Sequence, residues 1–119
     1  AKVVVAGRRE GQGNAVVQEI EAFGGEAIFV QTDVANESQV KNLVEQAVAK
    51  YGKIDAVFNN AGVEGEMGKP LHESTQEGFD QIFNINVRGV TNVHRAVVNS
   101  MLQTGGGAIV NTSSVGGHI

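Results

Sequence analysis

Four short apolar runs divide this chain, and a helix-spaced apolar stripe follows each of the first three. Few folds accept that alternation. Val3-Val4-Val5-Ala6, Ala27-Ile28-Phe29-Val30, Ile54-Asp55-Ala56-Val57-Phe58 and Ala108-Ile109-Val110-Asn111 read as strands. Continuous β-branched runs this short suit strands covered on both faces. Between them, Val16, Val17, Ile20 and Phe23 recur at helical spacing, as do Val40, Leu43, Val44, Ala47 and Val48. Asn36 is placed to cap the second of these helices, with Gln39 three residues on to close a capping box. Thr75 is the N-cap of a third, longer stretch. Its stripe through Phe79, Ile82 and Phe83 is interrupted at Asn86 and resumes through Val90, Val93, Val97 and Met101. Asn is a poor helix former because its amide competes for backbone hydrogen bonds, so a break is expected there.

Strands alternating with helices predict an α/β fold: a mostly parallel sheet, right-handed crossovers and helices on both faces. Ligands of such sheets bind beyond the carboxyl ends of the strands. Arg8, Asp33, Asn60 and Ser114 fall at those four ends. The expectation is one pocket shared by the four tips.

The bulk properties narrow the function by exclusion. The 119 residues are one domain's worth of chain, and no internal repeat or linker divides them. Nine basic against 13 acidic residues give a net charge of -4, which argues against nucleic acid or an anionic membrane as partner. No apolar run approaches the roughly 18 residues of a membrane span. With no cysteine, disulfides, thiolate chemistry and zinc held through sulfur are excluded, and a reducing cytoplasm fits. His72, His94 and His118 share no metal-ligand spacing, so no metal is expected. His94, among apolar neighbours, reads as a packed or interface histidine. Gly11-Gln12-Gly13 is not a dinucleotide fingerprint, because Val16 stands where the third glycine belongs. It reads as a loose entry to a helix.

Three segments carry chemistry. Asn59-Asn60-Ala61-Gly62 follows directly on a buried strand, and its small residues let backbone approach a flat ligand closely. Asn86-Val87-Arg88-Gly89 and Ile109-Val110-Asn111-Thr112-Ser113-Ser114 come later. Their order and spacing resemble the short-chain dehydrogenase/reductase family, from its second strand to its fifth. The resemblance implies a Rossmann-like, doubly wound parallel sheet and hydride transfer between a nicotinamide cofactor and an alcohol or carbonyl substrate.

It also implies roles. Asp33 and Val34 lie against the adenine, or Asp33 merely caps the following turn. Asn60 contacts the ribose beside Ala61 and Gly62, while Asn59 bridges neighbouring strands. Where the family carries an acid that selects NAD, this chain has Gly7 followed by Arg8. A guanidinium there can clamp a 2′-phosphate, which favours NADP over NAD; otherwise Arg8 and Arg9 are solvated charges. Asn86 is the structural member of a catalytic tetrad, its backbone holding a water on the path to the catalytic lysine, or it is a bland kink. Ser114 is the catalytic serine, its hydroxyl on the substrate oxygen where charge develops, or part of a Ser-rich turn.

The family's opening glycine loop and its Tyr-x-x-x-Lys do not occur in this sequence; Tyr51, the only tyrosine, is followed four residues later by Asp55. The expectation is an internal piece of an enzyme, a single partial NAD(P)-binding domain over residues 1–119. Alone it would bind cofactor poorly and turn nothing over. Two strand pairs would face an empty slot with unpaired edges. Homo-oligomers are common in the family, so Val90, Val93, Val97 and Met101 serve either core or partner. The alternatives are a non-catalytic dinucleotide-binding or scaffold module, and a truncated product without activity.

Overall fold

The computed structural model describes residues 1–118. In chain order they form β1 (Lys2–Gly7), α1 (Glu10–Ala22), β2 (Glu26–Gln31), α2 (Glu37–Tyr51), β3 (Ala56–Asn59), α3 (Gln76–Phe83), a π turn (Asn84–Gly89), α4 (Val90–Gln103) and β4 (Ala108–Asn111). α3, the π turn and α4 are one continuous helical rod. Short 3₁₀ turns lie at Leu71–Glu73 and Val115–Gly117.

All pairing is parallel, but the strands do not form one sheet. β1 pairs β2 with Val4 opposite Ile28, and β3 pairs β4 with Phe58 opposite Val110. No ladder joins the two pairs among the described residues. These are the two unjoined pairs expected from the sequence. Helices join the pairs instead. Val40 of α2, fully buried, meets Val93, Val97 and Met101 of α4, and Val34, Val44, Val57 and Ile109 pack around them. Of the α4 stripe that served either core or partner, Val93, Val97 and Met101 are therefore core, while Val90 is half-buried outside the cluster. His94 does not share its burial; it lies on the exposed side of α4.

The cover is uneven. α1 packs on β1–β2, mainly on β2, and α2 touches both strands more lightly. On β3–β4 the cross-strand pair Phe58 and Val110 is 70% and 61% exposed, so that pair has one bare face. The radius of gyration is 15.9 Å, against about 13.5 Å for a complete domain of this length. Two strand pairs standing apart account for the excess.

Local chemistry explains the element ends. The Asn36 side chain accepts from the Gln39 N–H, and Thr75 accepts from the Gly78 N–H, as their positions predict. The reciprocal arm of the capping box goes elsewhere: Gln39 Oε1 accepts from the Asp33 N–H at 2.7 Å, because the Asn36 N–H already donates to the Asp33 carbonyl. Gly52 ends α2 at φ 88°, which glycine adopts without strain. α1 starts at Glu10, so Gly11-Gln12-Gly13 is helix and no loose entry. Phe23, expected in its stripe, lies past the helix end in solvent. At the other end of the sheet the Tyr51 hydroxyl is buried without a hydrogen-bond partner among the described residues, and Lys2 Nζ sits 5.8 Å from its ring centroid. Desolvation, then Glu26 and Glu21, push that phenol above its ordinary range.

Candidate functional site

A cleft of about 310 Å³ opens beyond the carboxyl ends of β1 and β3. Its walls come from distant parts of the chain: Arg8 after β1, Gly13 on α1, Val34 after β2, and Ala61, Gly62 and Val63 after β3. Gly13 has a steric reason to be glycine. A Cβ there would lie 2.1 Å from the Phe29 ring of β2, so the missing side chain lets α1 settle against the strand. The sequence places Gly13 in a loose helix entry, and nothing local in it signals the contact with Phe29. Gly62 is tight as well: a Cβ would lie 3.3 Å from Asn86 Oδ1.

Three carboxamides hold these walls together, all converging on the π turn and the start of α4. Asn86 accepts from the Val63 N–H and donates to the Val63 carbonyl, both at 2.8 Å, fixing the exit from β3. Buried Asn59 donates to the Val90 carbonyl at 3.3 Å, so it ties its strand to a helix and not to a neighbouring strand. Buried Asn92 donates to the Val34 carbonyl at 2.9 Å. Gly89 seats this segment, since a Cβ there would meet Val34 Cγ2 at 2.5 Å. The break at Asn86 is thus a wide turn whose carboxamide grips the exit of β3, while Asn92, just beyond it on α4, grips that of β2. Such turns are frequent at functional sites. Asn92 went unread in the sequence, although a polar residue between Val90 and Val93 was the available signal.

The predicted site residues separate into two sets. Arg8, Val34, Ala61 and Gly62 line the one cleft. Asp33 lines a shallower recess beside it with Arg8, Gln31 and Gln39, so Arg8 belongs to both. The single pocket expected at four strand tips is therefore two recesses joined at Arg8. The remaining side chains are engaged locally. Asp33 Oδ1 accepts from the Ala35 N–H, which is the turn-capping alternative. Asn60 Oδ1 accepts from the Thr112 hydroxyl at 2.6 Å, bridging the ends of β3 and β4. Ser114 Oγ accepts from the Gly116 N–H at 3.2 Å and caps a 3₁₀ turn. Because β3 and β4 are parallel, Asn60 and Ser114 still follow strand ends on the cleft's side of the molecule. No group of three metal-ligating side chains gathers among the described residues, and no described helix is long and apolar enough to cross a membrane.

A parallel α/β frame with a cleft at its strand ends, mostly apolar and edged by Arg8 and Arg9, is Rossmann-like. The comparisons make this specific. The short chain dehydrogenase family model matches residues 1–119, and the chain belongs to that family. An uncharacterized oxidoreductase of Listeria innocua, Lin0452, is 43% identical over 117 residues, covering 98% of this chain and 46% of that protein. The A-factor type gamma-butyrolactone 1′-reductase of Streptomyces virginiae is 42% identical over 120 residues, 46% of its length. A crystal structure of a short chain dehydrogenase/reductase from Burkholderia phymatum in complex with NAD superposes with a TM-score of 0.92 at 38% identity, over 99% of this chain and 42% of that one. The chain thus spans about half the length of the relatives it matches.

Proposed function

We propose that this chain is the nucleotide-binding part of an NAD(P)-dependent oxidoreductase acting on a small alcohol or carbonyl substrate. The observation that carries the reading is the meeting of Arg8, Val34, Ala61 and Gly62 in one cleft. The residues fit a dinucleotide. The apolar Val34 side chain offers a wall for a base. Ala61 and Gly62 leave room for a ribose, and the cradle at Gly62 is one that a Cβ would fill. Arg8 lines both the cleft and the Asp33 recess, and its guanidinium would hold a phosphate on the adenosine ribose there. NADP is therefore the favoured cofactor and NAD the second. When bound, the nicotinamide supplies or accepts the hydride.

In this reading Asn60 orients a ribose hydroxyl, and Asp33 accepts from the adenine amine beside Val34. Asn86 holds the floor in shape through Val63. Ser114 turns its hydroxyl from Gly116 toward the substrate oxygen, stabilising the charge that grows there. The working protein is a cytoplasmic homo-oligomer, and residues 1–119 alone are inactive.

The test is a fluorescence titration of the protein at its natural length with NADPH and NADH. Saturable binding of NADPH, tighter than NADH, is expected; binding of neither sinks the reading. One observation favours a second reading, a nucleotide-binding module without catalysis: the Ser114 hydroxyl faces Gly116 and does not line the cleft. Oxidation of NADPH with any member of an aldehyde and ketone panel would exclude that alternative.

A further inference from the structure

We infer that Asn92 is a positioning residue for the base-facing wall of the cleft, fixing the Val34 carbonyl and with it the way the Asp33-Val34 segment meets an adenine. This rests on the nucleotide reading above and goes one step further, to a residue that touches neither ligand nor cleft. Most ties on the segment after β2 are local. The Asp33 N–H goes to Gln39, the Ala35 N–H to the Asp33 carboxylate, and the Asn36 N–H to the Asp33 carbonyl. These shape the turn but do not say where it sits relative to the opposite wall. Asn92, 58 residues away, supplies that reference through its bond to Val34. Gly89, one helical turn earlier, bears on the Val34 side chain. One short stretch of helix thereby locates both the carbonyl and the side chain of Val34. The same stretch holds Asn59, and its π turn holds Val63, so the two walls of the cleft share one ruler.

The burial of Asn92 argues that the bond has a purpose. Asn92 is 4% exposed, next to the core residue Val93. A leucine would suit such a position better than a carboxamide, which is destabilising unless it is hydrogen-bonded. The partner is a backbone carbonyl of a cleft-wall residue.

Asn92→Leu keeps the branched shape and removes the donor. In the protein at its natural length, adenosine 2′,5′-bisphosphate and NADPH should each bind about tenfold more weakly, the usual scale for losing one bond to a buried acceptor. Nicotinamide mononucleotide should bind as before. A purely structural role would weaken all three alike or none, and either result overturns the inference. Should the variant fail to fold, the wild type decides. In its ¹⁵N spectrum the Asn92 side-chain amide should shift on saturation with adenosine 2′,5′-bisphosphate and stay still with nicotinamide mononucleotide. A bound bisphosphate that leaves the Asn92 resonance unmoved defeats this inference alone. Failure of the wild type to bind any nucleotide defeats the functional reading and this one together.

Discussion

Gly89→Ala separates the packing account of the cleft from a simple propensity account. In an ordinary helix the change stabilises by up to about 1 kcal/mol, because glycine loses the most conformational freedom on folding. Here the new Cβ would sit 2.5 Å from Val34 Cγ2 and 3.1 Å from Val34 Cβ. The second distance is the telling one. A clash with a distal methyl is relieved by rotation, but valine is stiff at χ1, and moving its Cβ means moving the backbone after β2. Forcing an extra methyl into such a contact costs about 1 to 3 kcal/mol. The two effects leave a net loss of about 1 kcal/mol. Gly11→Ala is the control: it lies in α1, and nothing stands within 4 Å of its added Cβ. That variant should gain about 0.5 kcal/mol. Urea unfolding of the protein at its natural length reads both. The midpoint should fall by about 0.5 M for Gly89→Ala and rise for Gly11→Ala, with unchanged slopes. If both variants are stabilised alike, Gly89 is no steric fulcrum and the reasoning about Val34 fails.

Removal of the guanidinium in Arg8→Ala should weaken NADPH about tenfold or more while changing NADH by less than about threefold, since only a 2′-phosphate forms a charge-assisted bond there. Equal losses for both cofactors would place Arg8 elsewhere. Glu66 accepts from Lys69 Nζ and the Thr75 N–H, each at 2.7 Å, and these bonds hold its carboxyl below the ordinary value of 4.5. A lowered carboxyl contributes order above its unfolded value and loses it as pH falls through the folded one. Exchange of the Thr75 amide should therefore speed up below about pH 4.5 relative to a remote reference amide, and Glu66→Gln should abolish that change. A Thr75 amide equally protected at pH 3 would contradict it.

Much of this was legible in the residues. Continuous β-branched runs located four strands to within one or two positions. Asn36 and Thr75 marked helix starts because a side-chain oxygen there satisfies an otherwise unpaired N–H. Asn86 marked the place of the irregularity, but the helix widens there and does not break, and the carboxamide bonds Val63 and not its own helix. What stayed hidden depends on contacts between elements far apart in sequence. Nothing local says that Gly13 yields space to Phe29, or that Asn59 reaches helix and not strand. Ser114 shows the converse limit. Its position after a strand was readable, but the direction of its hydroxyl is set by the turn that follows.

The π turn reconciles the two demands made on the long helical rod. Ile85, Gly89, Val93, Val97 and Met101 are all buried at intervals of four residues. In a uniform α-helix of 3.6 residues per turn, each such step drifts by about 40°, so the first and last would lie almost on opposite sides. Widening one turn between Asn84 and Gly89 offsets part of that drift. The buried seam then stays on the core, while Asn86 is brought round to grip Val63. The same seam places Asn92 beside Val34 and Gly89 against it. The exits of β2 and β3 are accordingly both tied to one helix and meet at one cleft. The buried carboxamides Asn92 on the helix and Asn59 on β3 are therefore the expected points of sensitivity in this cleft.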